Sequence, residues 1–275
     1  MQVTLAHSPD PDDAFMFYAL AADKVDAEGL RFRHVLSDIE SLNQAAREGR
    51  YEVTAISFHA YPYVAAGYDL LTAGASFGER YGPRLVARAP IPPWSLRGRR
   101  VAVPGMLTTA YLALKLALPD VVPVVVPFDR ILDAVLRGEV DAGLVIHEGQ
   151  LTYADHRLYR ILDLGEWWHD ETRLPLPLGG NAVRRGLPGD VLRRIDRVLR
   201  ASIRWGLEHR EEALTHALKL GRGIDRRRGD AFVGMYVNRW TVEYGETGRR
   251  AVRALLERGW RAGIIPIKVE PKFVS

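Results

Sequence analysis

The sequence predicts an α/β chain of two similar lobes that face one another across a cleft, and three observations carry that prediction. Short β-type runs alternate with amphipathic helical segments along most of the 275 residues, the pattern of largely parallel sheets crossed over by helices. A chain of that length is comfortable as two domains and too long for one small one. A unit also recurs: displaced by 89 residues, Ile39–Ser57 falls on Phe128–Ile146. Each copy has an amphipathic helix, a stopping glycine (Gly49, Gly138), an acid (Glu52, Asp141) and a buried-type strand. In open parallel sheets ligands bind beyond the carboxyl ends of strands. The equivalent strand ends, Ser57-Phe58-His59 and Ile146-His147-Glu148, are therefore expected in one interlobe cleft.

The elements follow in order. Val3–Ala6 reads as a strand. Asp10 then stands as an N-cap, Pro11 at the first helical position, and Asp12 and Asp13 lie against the helix dipole. Arg31–Leu36 is a strand, and Asp38 opens a helix to Arg47 that Gly49 stops. Glu52–Ser57, Asp69–Thr72 and Arg84–Arg88 are strands. Pro90-Ile91-Pro92-Pro93 punctuates the chain. Beyond it come strand Arg100–Val103, helix Thr109–Leu118, strand Val121–Val126, helix Asp129–Arg137, and strands Asp141–Ile146 and Leu158–Leu162. Leu174–Gly180 is rich in Pro and Gly. Helices close the chain: an interrupted Asp190–Leu220, then Asp230–Thr241 and Gly248–Ala262.

Composition narrows the function classes. Apolar residues make up 47% and charged residues 26%, which is globular and not disordered. Cysteine is absent, removing thiol nucleophiles, cysteine zinc sites and redox switching. Lys+Arg exceed Asp+Glu by only four, 38 against 34, and no basic run is interleaved with aromatics, so no nucleic-acid partner is expected. The arginine-rich run Arg222–Asp230 has flanking acids and reads as a solvated loop. Only five cations are lysines (Lys24, Lys115, Lys219, Lys268, Lys272), an arginine bias that points to a hot or GC-rich source. No run of 18 apolar residues occurs, and Met1–Ala6 passes straight into polar His7-Ser8-Pro9-Asp10. A cytoplasmic protein without membrane association is expected.

Among residues that can carry chemistry, His147 stands out. It ends a strand whose interior, Ala142-Gly143-Leu144-Val145, reads as fully buried, and a near-neutral imidazole beside a cleft suits a general base; the bland alternative is a histidine bonded to a loop. Glu148 follows it as a potential tuning group, with Asp10 and Asn43 as the other candidates for that part. Pro104–Ala110 joins a strand to a helix. Its free N–H groups, with the hydroxyls of Thr108 and Thr109, form a site for a carboxylate or phosphate, hence for a small anionic substrate; ordinary N-capping accounts for the same threonines. There is no GxxxxGK[ST] and no GxGxxG, which disfavours nucleotide cofactors. Ser57 lacks a G-x-S-x-G elbow, so it is a ligand contact and not a nucleophile, with Asn43 as its support. His7, Asp10 and Asp12 match no metal template, and no metal is expected. Trp167-Trp168-His169 is either core or cleft lining.

Together these residues resemble a known family. His7–Met16, Tyr81–Val86, Leu107–Ala110, Ile146–Gln150 and Leu174–Asn181 look like the motifs of the 1,4-dihydroxy-6-naphthoate synthase family of the futalosine route to menaquinone, over essentially the whole chain. The resemblance implies a two-lobed, type II periplasmic-binding-protein-like fold with two crossings, at Arg84–Ala89 and Leu174–Val183. Lobe one is then 1–91 and 174–275, and lobe two is the inserted 92–173. It implies a lyase that releases 1,4-dihydroxy-6-naphthoate from cyclic dehypoxanthinylfutalosine without a redox cofactor. His147 falls at the proton acceptor, and Ala55, Ile56, Ser57, Thr109 and Ala110 at substrate contacts. Chorismate dehydratase, the sister enzyme of the pathway, and a solute-binding protein are the competing readings. The Ile146–Gln150 segment favours the synthase.

Overall fold

The computed structural model describes residues 1–220 and 225–274, so Arg222, Gly223 and Ile224 of the expected arginine-rich loop lie outside the described residues. The strands are β1 (Gln2–His7), β2 (Arg31–Leu36), β3 (Val53–Ser57), β4 (Tyr68–Leu70), β5 (Ser76–Gly78), β6 (Arg84–Ala87), β7 (Arg100–Val103), β8 (Val122–Val125), β9 (Ala142–Val145), β10 (Tyr159–Asp163) and β11 (Leu176–Arg184). They form two sheets, ordered β2-β1-β3-β11-β4 with β5 beside β11, and β10-β6-β9-β7-β8.

The duplicated unit reappears in the topology. β1 runs parallel to β2 and β3, and β7 runs parallel to β8 and β9. Next to β3 lies antiparallel β11, and next to β9 lies antiparallel β6. Each sheet therefore holds one strand antiparallel to its neighbours, β11 in the first and β6 in the second. β3 and β9 are buried along their whole length, as central strands covered on both faces must be. Gly49 and Gly138, the stops of the repeated helices, have φ of +67° and +75°, a left-handed conformation in which glycine carries no Cβ penalty.

Local signals set the helix starts. Asp38 accepts from the Ser41 N–H at the head of Ile39–Arg47, and Thr108 accepts from the Tyr111 N–H at the head of Thr109–Ala117. The helix Pro11–Ala21 buries Ala14, Phe15, Met16 and Phe17 in a core cluster shared with Ile195, Leu199 and Ile203 of the helix Gly189–Glu208. Burial of side chains of this size contributes about 1.5–3 kcal/mol each, which fixes where the first turn of Pro11–Ala21 sits.

Some expectations are corrected. Asp10 precedes the first helix, but its side chain makes no capping bond. β5 and the helix Leu164–Thr172 carried no clear periodic signal. The Pro/Gly-rich Leu174–Gly180 opens a nine-residue strand, β11. The segment expected as the helix Asp129–Arg137 starts as a tight turn over Phe128–Arg130 and is helical over Ile131–Leu136. The expected helix Asp230–Thr241 is two helices, Arg226–Tyr236 and Arg239–Val242. Trp168 is fully buried and donates to the Pro175 carbonyl at 3.0 Å; it is core. Among the described residues no helix is long and apolar enough to cross a membrane.

Candidate active site

A cavity opens between the carboxyl ends of the two sheets. Ala55, Ile56 and Ser57 of β3, Thr108, Thr109 and Ala110 at the start of Thr109–Ala117, and His147 after β9 all line it. Residues far apart in sequence thus meet where the repeat predicted. Ser57 is held from behind by Asn43, which is fully buried: Asn43 Nδ2 donates to Ser57 Oγ at 3.1 Å, and Asn43 Oδ1 accepts from the Ser57 N–H at 2.8 Å. Thr108 donates to the Gly105 carbonyl at 2.8 Å while capping its helix. Thr109 Oγ1 accepts from the His59 N–H at 3.2 Å. Both hydroxyls therefore have partners within the protein. The backbone N–H groups of Thr109 and Ala110, at the first two helical positions, have no partner inside the helix. They offer a ligand positive potential.

His147 adopts φ of +50°, uncommon for a non-glycine residue and typical of functional turns. Phe128 packs edge-on against its ring, with centroids 4.9 Å apart. His147 Nδ1 lies 3.3 Å from Asp10 Oδ2, while Nε2 is buried with no hydrogen-bond partner in the protein. Glu148 is buried, yet it is not a lining residue, and its Oε1 has no partner either.

The cavity is also lined by Ser8, Asp13, Ser76, Gln150, Phe232 and Tyr236, which the strand-end pattern does not reach, and by Asp12, expected against the helix dipole with no metal template matched. Burial raises the Asp12 carboxyl to about 8, with the neighbouring Asp13 and Asp10 charges adding to the effect. Burial likewise raises Asp13 to about 7, against the Ser8 N–H that donates to it at 2.7 Å. Several carboxyl groups in one poorly solvated place cannot all be charged cheaply. The amide of Gln150, turned so that its nitrogen faces the Gly82 carbonyl (2.6 Å) and Tyr236 Oη (2.7 Å), accepts from the His147 backbone N–H at 3.2 Å. Asp13 and Gln150 sat beside residues already singled out. Phe232 and Tyr236, four apart on a helix, carry only a core-like pattern.

His7 turns elsewhere: its Nδ1 meets the Ser8 carbonyl and its Nε2 meets His34 Nδ1 at 3.0 Å. Burial, helped by His34, lowers its pKa to about 3. His59 is buried beneath the cavity wall, and burial lowers it to about 4.

The fold is the two-lobed one of the periplasmic-binding-protein type. The periplasmic aliphatic sulphonate binding protein of Escherichia coli shares it with a TM-score of 0.69 at 13% identity, over 98% of this chain and 90% of that one. A crystal structure of an Archaeoglobus fulgidus protein matches with a TM-score of 0.93 at 50% identity, over 96% and 98% of the two chains. Residues 3–261 match the menaquinone biosynthesis family, and the chain belongs to it. Curated relatives are the 1,4-dihydroxy-6-naphthoate synthases of Thermus thermophilus, 42% identical over 98% of both chains, and of Streptomyces coelicolor, 38% identical over 95% of this chain and 94% of that one.

Proposed function

We propose that this chain is a 1,4-dihydroxy-6-naphthoate synthase, a lyase that cleaves cyclic dehypoxanthinylfutalosine with His147 as general base. The observation that carries the reading is the cleft arrangement of His147, whose Nδ1 lies beside a buried carboxylate and whose Nε2 has no protein partner. Its near-full-length likeness to the two curated synthases supports the substrate.

In the proposed step, His147 Nε2 takes a hydroxyl proton from the sugar-derived part of the substrate. That oxygen becomes a carbonyl as the adjacent carbon–carbon bond breaks, and the electron pair of that bond passes into the ring ketone as an enolate. The imidazolium returns the proton to the ring oxygen, and aromatisation drives the cleavage. Atoms and charge balance without a redox cofactor or a metal. The Thr109 and Ala110 amides would hold the anionic portion, and Ala55, Ile56 and Ser57 the substrate from the other lobe, with Thr108 fixing the turn. Closure would expel water and seat the base. Within this reading lobe one is 1–91 with 174–275, lobe two is 92–173, and 84–89 and 174–183 are the crossings; the pairing of β6 with β9 and of β11 with β3 accords with two crossing strands. A biosynthetic role of this kind is in keeping with a cytoplasmic enzyme, and the arginine-heavy composition with a hot or GC-rich source.

The test is incubation of the purified protein with cyclic dehypoxanthinylfutalosine and, separately, with chorismate. Fluorescent naphthoate from the first is expected. Formation of 3-enolpyruvylbenzoate from chorismate would assign the sister reaction, and tight binding without turnover would assign a solute-binding role.

A further inference from the structure

Asp10 and His147 approach from different sheets, the first in the loop that follows β1 and the second at the end of β9. We infer that Asp10 is the positioning residue of the proposed base: its carboxylate accepts the Nδ1–H of His147, fixes the tautomer that leaves the Nε2 lone pair for substrate, and does so only when the lobes are closed. This inference rests on the assignment of His147 as base.

Three observations carry it. First, the Asp10 side chain is only 3% exposed, and a buried carboxylate needs a compensating partner. Second, it is not used where its sequence position would place it. It stands at the N-cap of Pro11–Ala21 and makes no cap bond. Instead Asp13 reaches back to the Ser8 N–H at 2.7 Å, and Ser8 Oγ accepts from the Asp10 N–H at 3.2 Å. Among the described residues His147 Nδ1, at 3.3 Å, is the one polar partner of the Asp10 side chain. Apo contacts of this kind tighten when substrate seats. A carboxylate accepts only, so it enforces one imidazole tautomer; an amide presents N–H groups as readily as oxygen and enforces none.

Third, the contact belongs to a set that spans the cleft. Glu40 Oε2 accepts from the Leu107 N–H at 3.2 Å, and Arg228 meets Asp155 at 2.7 Å. Tyr236 and Gln150 also meet across it, at 2.7 Å. An open cleft would part Asp10 from His147 along with the others. The base is therefore completed by closure, after water has been excluded.

The test measures kcat and KM on cyclic dehypoxanthinylfutalosine for Asp10→Ala and for the volume-conserving Asp10→Asn, with ¹⁵N spectra of the His147 ring in each. The expected result is a kcat loss of about tenfold to a hundredfold, within the range a misplaced base costs. KM should stay within about threefold, and the ring should pass from one Nδ1–H tautomer to a mixture. Because the side chain caps nothing, the melting temperature should hold; if the alanine variant fails to fold, the asparagine variant decides. A kcat within about twofold of wild type, or an unchanged single tautomer, overturns the inference. Full turnover by His147→Asn would instead remove the base assignment itself, so the two failures are distinguishable.

Discussion

Asp12→Asn should stabilise the protein increasingly as pH rises. Asp12 lines the cleft with Asp13 and Asp10 nearby, and burial first, then those two charges, raise it from 3.8 to about 8. The sign follows from linkage. Between the unfolded and folded pKa values the native state holds a proton that the unfolded chain has released, so stability falls as pH rises through that window. One such proton costs about 1.4 kcal/mol per pH unit at most. Asp12 faces the cavity and is only half-buried by its surface, so roughly half that slope is expected. From pH 5 to pH 7 the wild type should lose about 1–2 kcal/mol relative to Asp12→Asn, whose amide does not titrate. Asp13, raised mainly by its own burial and by Asp10, stays in both proteins, but its charge also acts on Asp12, so the difference reads the carboxyl pair as a unit; His7 stays in both and cancels. Urea unfolding at pH 5, 6, 7 and 8 reads it directly. A difference in stability that does not change with pH would refute the reasoning.

Two further outcomes follow from the buried polar network. Asn43→Ala leaves the Ser57 N–H without its acceptor, which should cost about 1–3 kcal/mol in unfolding free energy and raise KM more than it lowers kcat, measured by denaturant titration and steady-state kinetics. Asp163→Ala removes a fully buried carboxylate that accepts from Arg84 at 3.1 Å and from the Gly165 N–H at 2.9 Å. Stranding that arginine should cost about 3–5 kcal/mol and, because Arg84 also donates to the Gln150 carbonyl at 2.5 Å, depress turnover; thermal unfolding and naphthoate fluorescence check both.

The fold was legible where local chemistry and periodicity agreed. The repeat around Gly49 and Gly138 predicted β3 and β9, and with them the places of Ser57 and His147. β5 is three residues long, too short for a period to register, and β11 contains Pro177, Gly179 and Gly180, which weaken strand propensity and read as a loop. β11 forms because β3, β4 and β5 supply its partners, a tertiary gain that no local pattern carries. In the site, residues at strand and helix ends were readable. Phe232 and Tyr236 were not, since the Arg226–Tyr236 helix lies about 80 residues beyond His147 and only packing brings it over the cavity. Asp10 shows the reverse case: its capping signature was clear, yet its side chain makes no cap bond and lies against His147 Nδ1 instead.

The central claim, that His147 performs the proton transfer in this cleft, is met most directly by comparing His147→Asn with wild type on cyclic dehypoxanthinylfutalosine, binding and turnover measured together. Binding within about threefold and a rate lower by on the order of 10²–10⁴ are predicted; turnover near the wild-type rate would contradict the assignment.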